Sequence, residues 1–299
     1  MSRAGPEGLY SARMSREGPS VDRVQDTARW VAMARAEESD REDALFKDPF
    51  ARRLAGPDGH DLLRRLSGGA RGAWFIVAWT HVIDRLIAAA VQDGADAVVN
   101  LAAGLDSRPL RMDLPASLTW IEVDHADVIA EKETLLRDST SVCRIERVSR
   151  DLASDDARRD LFASLGARFR RTLVLTEGLL CYLSPETAMS LARDIRALPG
   201  VFRWIADLSN EAVLAYVARH SRHALQGTAR MQFGPDEGPL VFEPLGWTTV
   251  GATSMLKAAG RLKRLPFPLS LLWRLPEKPY GSPGRPWSGV CVWEPRLPG

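Results

Sequence analysis

The stretch NLAAGLDSRPLRM, residues 100–112, continues the apolar run AVVNLA (97–102) and carries a single glycine, Gly104, in the turn that follows. An apolar run of strand length, a tight turn and then Arg108-Pro109 at a helix start form the opening of a βα unit. The same rhythm recurs downstream. Short apolar runs at TWIEVD (119–124), RIERVS (144–149), TLVLTE (172–177) and FRWIAD (202–207) alternate with helix-like segments such as HADVIAEKETLLRD (125–138) and PETAMSLARDIRAL (185–198). That alternation predicts an α/β fold, a doubly wound and mostly parallel sheet in which the turn after the first strand faces the ligand crevice.

Upstream, the segment from Asp22 to Ala55 predicts two helices, with Asp48-Pro49 opening the second and Gly56-Pro57 stopping it. The run WFIVAWTHVIDRLIAAAV (74–91) has the length of a membrane span, but Thr80, His81, Asp84 and Arg85 interrupt it. Such groups are costly in hydrocarbon, so it reads as a buried helix with one polar stripe. Beyond about Asn210 the pattern loosens through the Gly- and Pro-rich MQFGPDEGPLVFEPLGW (231–247). A helix near SMLKAAGRLKRL (254–265) and a late strand SGVCVWE (288–294) follow, with a proline-rich crossing loop between them and room for two more strands. The expectation is a seven-stranded sheet with a helical N-terminal extension and a lid insertion. Residues 1–20 read as a flexible arm, and 21–299 as one domain divided into a helical part (21–92), a cofactor-binding core (93–210) and the lid with the C-terminal strands (211–299).

The chain has 299 residues, 45% hydrophobic and 26% charged, with 40 basic and 38 acidic side chains spread along it. No basic stripe is present of the kind that binds nucleic acid, and no membrane partner is expected. Cys143, Cys181 and Cys291 are far apart without CxxC spacing. This argues against a zinc site or a disulfide framework and suits a reducing, cytoplasmic compartment.

The turn at 102–106 lacks the several glycines that let backbone amides approach a pyrophosphate, and it places Asp106 where a diphosphate would be repelled. Beside a sulfonium or amino group the same carboxylate is favoured, by roughly 4 kcal/mol for charges about 4 Å apart at a surface-like dielectric. Twenty positions after Gly104, Asp124 ends the second strand, where an acid can bind ribose hydroxyls. S-adenosylmethionine meets both conditions, having a ribose and no phosphate. The competing reading makes Asp106 a helix cap and Asp124 a solvated strand end. A nicotinamide-dependent oxidoreductase is disfavoured by the poor glycine loop.

Several long motifs in order, TARWVAMARAEES, DALFKDPFARRLAG, VVNLAAGLDSRPLRM, WIEVDHADVIAEKETLL, LVLTEGLLCYLSPE and a closing LGW, make most of the chain resemble one family. It is the leucine carboxyl methyltransferase-like class I S-adenosylmethionine-dependent methyltransferases, in particular their bacterial O-methyltransferase branch. The resemblance implies that Ala103 and Gly104 lie against the methionine part of the cofactor in a loop shaped by Asp106 and Arg108. It implies that Asp124 binds the ribose, that Asp151 and Leu152 flank adenine, and that Glu177 ends the fourth strand beside the cofactor's amino end, with Tyr182 facing the same crevice. Two departures stand out: Ala102 replaces the loop's usual first glycine, and Trp79 replaces an arginine that clamps the cofactor's carboxylate. His81, Arg85, Arg108 or an N-terminal arginine would then take over the clamp. A cofactor-binding relative with little turnover is the alternative reading that this departure opens.

The implied reaction is O-methylation of a small-molecule or peptide acceptor, partly apolar, at a carboxylate or hydroxyl. A carboxylate needs no general base; for a hydroxyl, Tyr182, His81 and Glu177 are the candidates. No metal is expected. Acceptor selection is expected in the N-terminal arm, the helices at 22–55 and the insertion at 210–245, including Met231 and Phe233.

Overall fold

The structure is a computed structural model and describes residues 24–67, 69, 72–220, 230–277 and 286–296. The expected arm at 1–20 and part of the insertion fall outside these residues. The described strands are β1 (Ala97–Leu101), β2 (Thr119–Asp124), β3 (Arg144–Ser149), β4 (Thr172–Thr176), β5 (Val201–Ser209), β6 (Trp247–Ser254) and β7 (Ser288–Pro295). They form one seven-stranded sheet in the order β3-β2-β1-β4-β5-β7-β6. The first five pair in parallel, whereas β7 runs antiparallel between β5 and β6.

The helices are α1 (Val24–Ser39), α2 (Ala51–Ala55), α3 (Gly59–Ser67), α4 (Trp74–Gln92), α5 (Arg108–Arg111), α6 (Ala126–Leu136), α7 (Asp155–Gly166), α8 (Pro185–Ala197), α9 (Glu211–His220) and α10 (Met255–Arg261). Local chemistry sets several of their starts: the hydroxyls of Ser154, Ser184 and Ser254 accept from the backbone N–H three residues on, and Pro185 occupies the first turn of α8. The second predicted helix is short, because Gly56 takes φ 66° and ends it, and the chain re-enters a helix at Gly59 that the Gly-Pro stop had concealed. Strand β6 was not located in the sequence; it carries a register shift between Thr249 and Gly251 that breaks its alternation.

Strands β1 and β4 are buried along their whole length, as continuous apolar runs require in the centre of a parallel sheet. Their alternate residues feed two cores. Val99, Val174 and Trp204 pack with Leu161 and Leu165 of α7 and with Leu191 and Ile195 of α8. Val98, Leu173 and Ile205 pack on the other face with Ile83 and Ile87 of α4 and Ala259 of α10. Helix α4 thus contributes buried residues on one side, as its polar interruptions predict. A third cluster, with Trp30, Met33, Leu54 and Ile76, joins α1 to α3 onto the start of α4. On the first face the ring of Trp204 lies 4.7 Å from Trp293, 4.8 Å from Phe242 and 5.3 Å from Trp247, centroid to centroid. Phe233, one of the residues in which acceptor selection is expected, stacks on Phe242 and is buried in this core.

Candidate active site

The carboxyl ends of β1, β2 and β4 open onto a cavity of about 350 Å³. Its walls include Ala103, Gly104, Asp106 and Arg108 from the turn after β1, Asp124 from β2, Asp151 and Leu152 from the turn after β3, and Glu177 and Tyr182 beyond β4. Residues far apart in sequence therefore meet at one crevice, as strand order dictates. A wider hollow of about 450 Å³, bounded by Leu110, Glu133, Arg137 and Arg147, lies elsewhere and shares none of these groups. Among the described residues no cluster of His, Cys, Asp and Glu could hold a metal.

The turn after β1 is built by its own carboxylates. Asp124 Oδ2 accepts from Gly104 N at 2.7 Å and Oδ1 from His125 N at 2.7 Å, which fixes the acid at the tip of β2. Ala102 takes φ 56° and Gly104 φ 46°, so the alanine keeps the left-handed conformation that suits glycine. Asp106 accepts from Asn100 Nδ2, Arg108 N and Arg108 Nη1, each at 2.9 Å. Asp106 is therefore more than a helix cap.

Arg108 is the centre of a buried charge network. Its Nε meets Asp84 Oδ1 at 2.7 Å, while Nη1 reaches both Asp106 Oδ2 at 2.9 Å and Glu177 Oε2 at 2.5 Å. Arg111 makes two bonds to Asp84, at 2.7 and 2.8 Å. Next to it Arg35 holds Asp48 at 2.9 Å and donates to Leu105 O. Four carboxylates thus face three guanidiniums, leaving one excess negative charge beside the cavity. Burial pushes the carboxyls of Asp48, Asp84 and Asp106 up, but the arginines over-compensate and hold all three below the usual range. Two donors of the network are buried without a hydrogen-bond partner, Arg111 Nε and Arg108 Nη2, and the second sits on a side chain that lines the cavity.

Trp79, on α4, donates from its indole Nε1 to Glu177 Oε1 at 2.6 Å. Both oxygens of Glu177 are therefore held, by Trp79 and Arg108. The sequence offered no signal for this pairing, since the partners lie 98 residues apart. Tyr182 is hydrogen-bonded to Thr27, and burial pushes its phenol far above the ordinary value, so it faces the cavity as a protonated donor. Of the candidate catalytic residues, His81 is not brought to the cavity, nor is Arg85 among the candidate clamps. The His81 ring bonds to the backbone of Leu45, and burial lowers its pKa. Asp151 accepts from Ala153 N at 2.9 Å and Leu152 is buried in the first core, both on the cavity wall. Sequence reasoning did not single out Asp207 of β5, whose Oδ1 accepts from Gly178 N at 2.6 Å just behind the wall.

Comparison with known proteins follows the same lines. The model of the family described as leucine carboxyl methyltransferase matches residues 28–196. A Frankia alni protein named "Putative S-adenosyl-L-methionine-dependent methyltransferase" is 38% identical over 188 residues, 58% of this chain and 65% of the relative. A second protein of that name from the same organism is 32% identical over 250 residues, 71% of this chain and 88% of the relative. The first relatives are matched over only 59–65% of their own length. Among solved structures, a DUF574 family protein from Streptomyces avermitilis shares the fold at TM-score 0.53 and 14% identity, covering 92% of this chain and all of that one. A Thermobifida fusca protein, also at TM-score 0.53 and 14% identity, covers 97% of this chain and 100% of its own.

Proposed function

The chain belongs to the leucine carboxyl methyltransferase family, and from that premise we propose that it binds S-adenosylmethionine in the cavity above β1, β2 and β4 and transfers its methyl group to an oxygen of a partly apolar acceptor. The observation that carries this reading is the turn after β1: a single positive-φ glycine tied to Asp124, next to an ionised Asp106 and a buried arginine with one free donor. A cofactor with a ribose, a cationic centre, a carboxylate and no phosphate fits that set, and a volume of about 350 Å³ lies within the range of small-ligand sites.

Each residue then has a task. Asp124 accepts from the ribose hydroxyls while keeping its bonds to Gly104 N and His125 N. Leu152 supplies an apolar face beside the base, with Asp151 at its rim. Asp106 and Glu177 give the amino-acid end its negative field. Arg108 Nη2 receives the cofactor's carboxylate in place of the family's arginine at position 79, and Trp79 instead steadies Glu177. The bound cofactor brings a methyl group on a sulfonium leaving group that needs no further activation. The protein therefore contributes orientation and exclusion of water. Incubation with methyl-labelled S-adenosylmethionine and a mixed set of carboxylic acids, phenols and alcohols tests the reading. Label in an ester or ether product supports it, and label carried only by nitrogen or carbon contradicts the oxygen acceptor.

A further inference from the structure

Helix α10 and the segment that leaves it, residues 255–277, carry Lys257, Arg261, Lys263, Arg264 and Arg274 against one acid, Glu277. The cofactor site uses none of them. In the same segment Phe267 is 80% exposed, Leu271 65%, Leu275 58% and Leu272 45%, half of the eight strongly exposed large apolar side chains among the described residues. A single exposed leucine is ordinary, but a cluster of this kind on one short segment marks an interaction surface.

The segment is anchored so that these side chains point outward. Leu271 N donates to Pro268 O, Leu272 N to Leu269 O and Leu275 N to Leu272 O, which gives it a backbone frame of its own. Trp273 lies directly on Gly260 of α10, where an added Cβ would come within 2.2–2.6 Å of the indole side chain. Lys257 Nζ donates to Leu275 O, and Arg264 ties the start of the segment to α1 through Glu38 and to Asp43 just after it.

Charge decides what this surface fits. Arg264 is neutralised by its two acids, whereas Arg261, Lys263 and Arg274 are exposed and form no ion pair with a described residue. The C-terminal end of α10 favours cations at Arg261 and Lys263, but Arg274 lies beyond it, with its guanidinium 5.3 Å from the Trp273 ring. Lys263 takes φ 56°, a left-handed position that suits glycine, so a cation is kept there against backbone preference. A second copy across a two-fold axis would set these cations against their own equivalents. A purely acidic peptide would leave Phe267 and the leucines in water. An anionic lipid surface satisfies both, because headgroup phosphates meet the cations while the apolar side chains enter the acyl boundary.

We infer that the face formed by residues 261–275 docks the protein on an anionic lipid surface, lying on it rather than spanning it. The inference departs from the expectation of no membrane partner while leaving α4 in the core. It does not depend on the S-adenosylmethionine reading.

Flotation of the full chain with vesicles tests it, using phosphatidylcholine alone and phosphatidylcholine with about one third phosphatidylglycerol. Wild type is expected to float with the anionic vesicles, to stay behind with the neutral ones and to be released as salt rises. Phe267→Ser/Leu271→Ser is expected to lose at least about tenfold in vesicle affinity, and Arg261→Gln/Arg274→Gln about fivefold per charge removed. Thermal midpoints are expected to hold in both, because all four side chains are exposed. No flotation of wild type, equal flotation with neutral vesicles, or wild-type affinity in either double variant overturns the inference. A concentration-dependent dimer that Phe267→Ser/Leu271→Ser abolishes, without lipid binding, overturns it in favour of a second copy. Capture of wild type by polyglutamate but not by vesicles overturns it in favour of an acidic protein.

Discussion

The indole of Trp79 donates to Glu177 Oε1 at 2.6 Å, so a helix from the N-terminal extension holds the acid that ends the fourth strand. Glu177 has Arg108 on its other oxygen, and the two donors together fix its carboxylate at the cavity wall. Trp79→Phe keeps the aromatic packing against Phe75 and removes one hydrogen bond to a charged group. A loss of about 1.5–3 kcal/mol of stability is expected in urea unfolding; an unchanged midpoint would show that the bond contributes nothing in solution.

Arg108 carries the unpartnered Nη2, and this donor is assigned to the cofactor's carboxylate. Arg108→Lys preserves the positive charge among Asp84, Asp106 and Glu177 but removes the planar fork. Affinity for S-adenosylhomocysteine is expected to fall at least about tenfold, equivalent to 1.4 kcal/mol. Affinity for methylthioadenosine, which lacks the amino-acid tail, is expected to hold. Equal losses for both ligands would place the carboxylate elsewhere.

Ala102 occupies the left-handed region, a conformation that costs a non-glycine residue roughly 1–2 kcal/mol. Part of that cost is offset by the greater freedom glycine has in the unfolded chain. Ala102→Gly is therefore expected to stabilise the protein by up to about 1 kcal/mol, read as a rise in Tm, and to leave the cofactor site in place.

The raised carboxyl of Asp207 has a consequence for stability. Its pKa moves from 3.8 to about 7 on folding, so between these values the folded chain holds a proton that the unfolded chain has released. The group's contribution is fully present below pH about 4 and is lost as pH rises through 7. Relative to Asp207→Asn, wild type is expected to lose about 1.4 kcal/mol per pH unit across that window. Denaturant titrations at pH 5, 6 and 7 that keep the two variants parallel would contradict the shift.

Much of the fold was legible because its signals are local. The runs at 97–102, 119–124, 144–149 and 172–177 become β1 to β4 nearly to the residue, and Ser184-Pro185 announces α8. Gly104, Asp106 and Asp124 could be brought together because strand order in a doubly wound sheet fixes which turns meet. What stayed hidden depends on long-range pairing. Strand β6 is defined by its partner β7 across a bulge, Phe233 by its stack on Phe242, and the bonds of Glu177 to Trp79 and Arg108 by the approach of α4 to the sheet end. Asp207 gave no signal in sequence because an acid at a strand end is ordinary until the neighbours that bury it are known.

The proposed cofactor site depends most directly on Asp124 accepting from the ribose hydroxyls. Titration calorimetry of S-adenosylhomocysteine into wild type and Asp124→Ala reads it in one comparison. One ligand bound per wild-type chain, with at least a tenfold loss in the variant from a missing charge-assisted bond of about 1.5–3 kcal/mol, is the predicted result. No heat with wild type, or equal affinity in both proteins, would contradict it.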